Sequence, residues 1–298
     1  MAHLSRRAFV RTGLAAGALA STGSLSLQAL QATAAKKSAT DWVTLGDSGV
    51  KVTRLAFGTG SMSGAVQRSL GQEAFTKTVR YAYDNGVRFF ETAESYSDMH
   101  RMLGIALQGI PRDSYRLMSK ITTHGDVDPQ VKIDELRKLA QTEYFDIMLL
   151  HWQHTPTWPA DSMRWADGIQ EAQQKKIVIG RGASVHGLPA LRQVPGDKWL
   201  EVAMIRCNHN GTRMDTEIAD GPGLGSVPEV VTHIHQVKKE GMGVISMKLA
   251  GEGAFDHNDR QAAMKFAFQQ AKVDTVTVGY KNTQEIDEAI QNINLALA

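Results

Sequence analysis

The chain reads as an α/β protein, a (β/α)8 TIM barrel behind an N-terminal β-hairpin, and three observations lead there. Short apolar segments alternate with amphipathic ones eight times in about 250 residues, the usual size of such a barrel. The apolar segments are apolar on both faces, as strands of a parallel sheet covered on both sides must be. The units also follow one another so closely that no second domain is needed.

Taken in order, WVTLGDSGVKVTRL after Thr40 alternates around a G-D-S-G turn and predicts the hairpin. LAFG (55–58) is the first barrel strand, followed by a helix near 72–85 with Phe75, Val79 and Ala82 on one face. RFFETA (88–93) precedes a helix near 99–108, and YRLMSKI (115–121) one near 129–140. FDIMLLH (145–151) leads to a helix near 161–175, and KIVIGRGASV (176–185) to a short helical stretch. LEVAMIRC (200–207) is followed by a long loop and a helix near 227–240, where Ser226 and Glu229 are placed for a capping box and Pro228 for the first turn. GVISMKL (243–249) precedes a helix near 259–271, and TVTVGY (275–280) one near 283–295. A doubly wound sheet is the rival, since GTGSMSG (58–64) offers glycines after the first strand and Glu91 could serve as a ribose-binding acid. The glycine spacing is not G-x-G-x-x-G, however, and the helix begins roughly ten residues late for a phosphate-binding turn.

A formal net charge of +2, from 33 basic and 31 acidic residues, gives no overall pull towards nucleic acid or anionic lipid. The lone cysteine, Cys207, excludes an intramolecular disulfide and a cysteine-based metal site. The N-terminus differs in kind. MAHLSRRAFVR, a mildly apolar run interrupted by Gly, Ser and Thr, and ATA at 32–34 have the layout of a secretory signal, too broken for a stable membrane span. Arg6 and Arg7 within S-R-R-A-F resemble a twin-arginine signal. That resemblance implies the twin-arginine export machinery as a partner, passage of a folded chain with its cofactor bound, and a periplasmic product cut near Ala34. The expected organisation is a leader over 1–34, a linker over 35–40 and the barrel over 41–298.

A barrel keeps its chemistry at the C-terminal ends of its strands. Glu91 ends the second barrel strand, Tyr96 lies in the loop after it, Lys120 ends the third strand and His151 the fourth. A phenol, with a pKa of about 10, needs a cation to stabilise its phenolate, and Lys120 steadied by Glu91 would provide one. A neutral His151 could orient a carbonyl oxygen by a hydrogen bond. Such a group polarises and protonates a carbonyl, and the hydride must then come from a cofactor. Glu94 has no role in this scheme.

RFFETAESY, RLMSK and FDIMLLHW resemble the second, third and fourth strand ends of the aldo-keto reductases, and the likeness extends from WVTLGDSGVKVTRLAFGT to VTVGYKNTQEIDEAI. It implies a catalytic tetrad around a nicotinamide dinucleotide, with Tyr96 the general acid, Lys120 its pKa-lowering partner, His151 the carbonyl orienter and Glu91 in place of the family's aspartate. The same likeness points to Ser184, Met204, Met247, Lys248, Leu249, Gly279, Tyr280 and Lys281 as cofactor contacts. Where the family carries Ser-Asn and a glutamine against the nicotinamide amide, this chain has Ser184-Val185 and Met204, and Met247 takes the place of a stacking aromatic ring. The nicotinamide pocket is thus expected to be less polar than usual. Lys281 favours NADP, while Glu285, where an arginine is common, and the nearby Asp287 keep NAD open. Met62, Trp152, Trp158 and His209, with His154, are the candidate substrate walls; both tryptophans could equally be core anchors. Two other readings compete. In one, His151, His154, His186 and His209 are metal ligands of a hydrolase or isomerase, with few acids to join them. Alternatively the barrel binds a nucleotide or partner without turnover. His233 and His235, two apart on a helix, read as surface residues.

Overall fold

The computed structural model describes residues 36–123 and 125–298. The expected leader and its cleavage site lie outside the described residues. Eight parallel strands close into a barrel in chain order: β3 (Leu55–Gly58), β4 (Phe89–Glu91), β5 (Arg116–Ile121), β6 (Phe145–Gln153), β7 (Val178–Val185), β8 (Val202–Arg206), β9 (Gly243–Met247) and β10 (Thr275–Gly279). The last strand returns to the first, pairing Val276 with Leu55 and Gly279 with Gly58. Each strand falls inside the segment expected for it except β6, which runs on past His151 to Gln153.

The connecting helices include α1 (Ala65–Arg68), α2 (Gly71–Asp84), α3 (Met99–Leu107), α4 (Pro129–Leu139), α5 (Trp158–Asp161) and α6 (Met163–Gln174). After them come α7 (Leu188–Leu191), a single turn, then α8 (Val227–Lys239), α9 (His257–Phe266) and α10 (Thr283–Leu297). Helix α2 buries Phe75, Thr78, Val79 and Ala82, a stripe at three- and four-residue spacing that lies against the sheet. Side chains set three of the helix starts, Asp256 ahead of α9 among them. Asp128 accepts a hydrogen bond from the backbone of Gln130 ahead of α4, and Asn282 accepts one from Glu285 ahead of α10. The capping box expected at α8 does not form. Ser226 makes no side-chain cap bond, and Glu229 pairs instead with Arg192, whose guanidinium offers a charged partner across the surface.

Two separate apolar layers account for strands that are apolar on both faces. Phe89, Met118, Ile147, Leu149, Val202, Met204, Ile245 and Met247 fill the barrel interior, whereas Leu55, Phe57, Phe90, Leu117, Met148 and Leu150 join the layer beneath the helices. The period-two alternation of a strand divides the two sets. Each such side chain contributes about 1.5–3 kcal/mol on burial.

The hairpin, β1 (Trp42–Thr44) paired antiparallel with β2 (Lys51–Thr53), closes the N-terminal end of the barrel by adding Leu45, Val50 and Val52 to the interior cluster. Only glycine suits position 46, whose φ is +50° and whose Cβ would lie 2.1 Å from the Gly241 carbonyl oxygen. The linker expected over 35–40 is docked by its end: Ala39 is fully buried, and its N–H donates to Asn294 Oδ1 at 2.8 Å.

Candidate active site

Strand alternation selects the side chains that meet inside the mouth of the barrel. Glu91 follows Phe89 on the interior face, Lys120 follows Met118, His151 follows Leu149, and Arg206 follows Met204. Of the two phenylalanines before Glu91, only Phe89 fills the barrel; Phe90 packs beneath the helices. Lys120 and Glu91 are buried and in direct contact, and Lys120 also donates to the Thr92 carbonyl at 3.3 Å. The Lys120 ammonium lies 4.8 Å from the centre of the Tyr96 ring, and the His151 ring stands edge-on to Tyr96 with centroids 5.5 Å apart.

The glycines of GTGSMSG have a use other than binding phosphate. A Cβ on Gly60 would lie 2.5 Å from Tyr96 Oη, and one on Gly58 would meet Thr277 Oγ1 at 2.8 Å and Glu91 Oε2 at 3.1 Å. The tetrad therefore packs against bare backbone. Tyr96 sits in a short 3-10 turn, Glu94–Tyr96, and Glu94 fastens that turn to the end of β5 by accepting from the Thr122 backbone at 2.8 Å and pairing with Lys132 at 3.2 Å. Burial raises the Glu94 pKa, but the Thr122 hydrogen bonds and the Lys132 ammonium outweigh it and hold the carboxylate below its ordinary value.

Burial, helped by the Glu252 carboxylate, raises the Tyr96 pKa. The Lys120 side chain, 4.8 Å from the ring centre and in contact with Glu91, does not offset that rise. Burial and the Lys248 charge pull the Lys120 pKa well down. Burial and the cations Lys120 and Lys248 hold His151 neutral. Ser95 Oγ lies 3.2 Å from His151 Nδ1, which leaves Nε2 for a ligand.

A cavity of about 290 Å³ starts at Glu91 and Tyr96, passes Met204 and Met247, and continues to α9 and α10. Met204, Met247, Lys248, Leu249, Gly279, Tyr280 and Lys281 all line it. Ser184 is buried behind Met247, its Oγ 3.9 Å from Sδ, and Val185 belongs to the layer under the helices. Cations and carboxylates alternate towards the outer end. Lys248 pairs with Glu252, Arg260 grips Glu288 at 2.8 and 3.0 Å, and Glu285 accepts from the Lys281 backbone at 2.8 Å. Asp287 is directed elsewhere, to the Tyr81 hydroxyl at 2.8 Å. Thr277 Oγ1, Tyr280 Oη and Asn292 Nδ2 are buried on the lining without a partner among the described residues. Unspent polar atoms, a glycine-lined inner end and cations further out fit an extended anionic ligand such as a nicotinamide nucleotide.

The candidate substrate walls divide. Met62 and Trp152 are exposed at the mouth, and His154 stacks on Trp152 with centroids 4.1 Å apart. Trp158 is a core anchor, buried with Nε1 donating to the Ala190 carbonyl at 3.1 Å. His209 turns to α9, against Phe255 and 3.4 Å from Asp259. Its place at a strand end did not reveal that direction. Among the described residues no three His, Cys, Asp or Glu side chains are grouped to hold a metal ion. Sequence reasoning missed Arg260 and Asn292 in the cavity and Arg206, Asp215 and Asp220 at the mouth. Only Arg206 left a signal, as a cation closing the apolar run VAMIR, the same cue that singled out Lys120.

Comparison with known proteins agrees with this architecture. The model of the Aldo/keto reductase family matches residues 54–261. Probable aldo-keto reductase 1 of Glycine max is 29% identical over 125 residues, 38% of this chain and 35% of that protein. The chain spans about a third of the length of the curated relatives it matches. A Pseudomonas aeruginosa structure assigned to the aldo-keto reductases superposes with a TM-score of 0.70 at 18% identity, over 88% of this chain and 99% of the other. An aldo-keto reductase from Klebsiella pneumoniae in complex with NADPH gives 0.64 at 15% identity, over 87% and 90%. These two likenesses speak for the fold, and the family match reaches well beyond half of the sequence. The chain belongs to the aldo/keto reductase family.

Proposed function

We propose that the protein is an NADP-dependent oxidoreductase that reduces an aldehyde or ketone. The observation that carries the reading is Tyr96, set over the Lys120–Glu91 pair and edge-on to His151, where a long cavity begins. A bound nicotinamide nucleotide supplies the hydride. Met204, Met247 and Leu249 would hold its inner part, and Lys248, Arg260 and Lys281 its anionic part. Two cations near the outer end, Arg260 and Lys281, support NADP over NAD, and the Klebsiella pneumoniae relative is in complex with NADPH.

The chain's own residues supply the proton and the orientation. Tyr96, kept as the neutral phenol by burial, gives its proton to the carbonyl oxygen. Lys120 receives the phenolate that remains, and Glu91 stops the ammonium from swinging away. His151 is neutral, so it can donate one hydrogen bond to the carbonyl oxygen without competing as an acid. Export by the twin-arginine route, with cleavage near Ala34, belongs to the same reading and is supported by S-R-R-A-F and ATA in the leader.

The test is NADPH oxidation, followed by absorbance, with the chain from Ala35 and a panel of aldehydes and ketones. Tyr96→Phe should cut turnover at least 100-fold and leave the dissociation constant for NADPH within about threefold. Equal turnover in both proteins removes Tyr96 from the chemistry. Tight NADPH binding with no turnover in either would favour a non-catalytic nucleotide-binding barrel.

A further inference from the structure

The turn that carries Tyr96 has a middle residue, Ser95, with no part in the reduction described above. Glu94, Ser95 and Tyr96 form one short 3-10 turn, and each reaches a different neighbour. Glu94 holds Thr122 at the end of β5, and Tyr96 lies over Lys120. Ser95 reaches across to β6, its Oγ 3.2 Å from His151 Nδ1. The turn has little freedom. Arg68 Nη1 donates to the Tyr96 carbonyl at 2.8 Å and to that of Ser63 at 2.9 Å. Ser97, which follows, is a non-glycine residue in the left-handed region at φ +54°, a conformation kept only where the surroundings fix it.

The direction of the Ser95–His151 bond decides what the imidazole can do. A neutral imidazole carries one proton, and the bond made by one nitrogen settles the state of the other. Burial and two cations, Lys120 and Lys248, keep this ring neutral. Among the described residues the Ser95 hydroxyl is the one hydrogen-bond partner of the His151 side chain, and it makes no other such bond. His257 Nδ1, by contrast, faces Glu288 at 3.0 Å, a group that when ionised can only accept. A serine hydroxyl can donate, and donation leaves the imidazole proton on Nε2. With the proton on Nδ1 instead, Nε2 would present a lone pair, which repels a carbonyl oxygen and competes with it for the Tyr96 proton.

We propose that Ser95 is a positioning residue whose hydroxyl donates to His151 Nδ1 and fixes the imidazole as the Nε2–H tautomer, giving the carbonyl oxygen a second donor beside Tyr96. The proposal rests on the reductase reading above. One clamped turn then keeps both donors in register, since the phenol and the hydroxyl that orders the imidazole are consecutive in the chain.

The experiment labels histidine with nitrogen-15 in the chain from Ala35 and reads the His151 ring nitrogens by NMR at about pH 9, where imidazole is neutral. Their signals are identified by loss in His151→Gln. A nitrogen that bears a proton and a bare one resonate far apart. Wild type should show Nε2 protonated and Nδ1 bare, and Ser95→Ala a mixture of both tautomers. Asparagine and aspartate match in shape, but only asparagine can donate. Ser95→Asn should therefore keep the wild-type pattern, whereas Ser95→Asp should move the proton to Nδ1. That move should lower kcat about 100-fold for the aldehyde that wild type reduces fastest, with the NADPH dissociation constant within about threefold. A merely structural role would leave the tautomer where it was. A proton on Nδ1 in wild type, a wild-type pattern in Ser95→Ala, or a moved proton with unchanged kcat would overturn the proposal. If wild type reduces no carbonyl compound, the reductase reading falls, and the nitrogen signals still decide the part of Ser95. A mixture in Ser95→Ala supports its hold on His151, and an unaltered pattern removes it.

Discussion

Tyr96 depends on a residue with no side chain. Gly60 allows the phenol to lie against the backbone, and a methyl group there would stand 2.5 Å from Oη, closer than real contacts allow. Gly60→Ala is therefore expected to move the ring by about 1 Å and to lower kcat about 100-fold, with a much smaller effect on melting temperature. An unchanged kcat would show that Tyr96 has slack. The candidate site's side chains were legible because a strand's alternation tells which residue at its end faces inward, so Glu91, Lys120 and His151 could be chosen without coordinates. Trp158 and His209 were not, since they lie beyond the strand ends and loop conformation decides where they go. Asp220 was hidden for the same reason. Its carboxylate matters only because a long loop carries it back to Arg206 and Trp152.

At the scale of elements, α3 is joined to β5 by a titratable contact. His100 Nε2 lies 2.7 Å from Ser119 Oγ, the His100 ring stands edge-on to Phe145, and the imidazole is almost fully buried. Burial brings its pKa down to about 4, with only partial opposition from Glu94 and Glu135. The unfolded chain binds this proton more readily than the folded one. Stability is thus complete above the unfolded value of about 6.5 and falls as pH drops through the window to about 4. The loss amounts to about 3 kcal/mol below that window. Urea unfolding at pH 7 and pH 4 should show His100→Gln losing less stability than wild type by an amount of this order; identical losses would mean that His100 titrates normally. The fold was legible at this scale because strands apolar on both faces must be covered on both sides. Less legible were features that rest on tertiary partners, such as Glu229 leaving the expected capping box for Arg192.

For the whole molecule, the leader and the barrel make one testable sequence of events. Replacing Arg6 and Arg7 by lysine should leave the chain uncut in the cytoplasm, while the native leader yields a periplasmic product beginning near Ala35, read by N-terminal sequencing. Equal export of both would remove the twin-arginine route. Barrel closure sets the timing. β3 has β4 on one side from early in synthesis, but its other neighbour is β10, and the pair Gly279–Gly58 ends almost at the C-terminus. At about 5–20 residues per second, some 10–45 s pass between the making of the two strands. Throughout that interval the first barrel strand presents an open edge of N–H and carbonyl groups, the kind of edge on which chains aggregate. If the proposed twin-arginine route is taken, which carries folded proteins, export would follow the making of β10. On the proposed route, the open β3 edge would have to be covered until β10 is made.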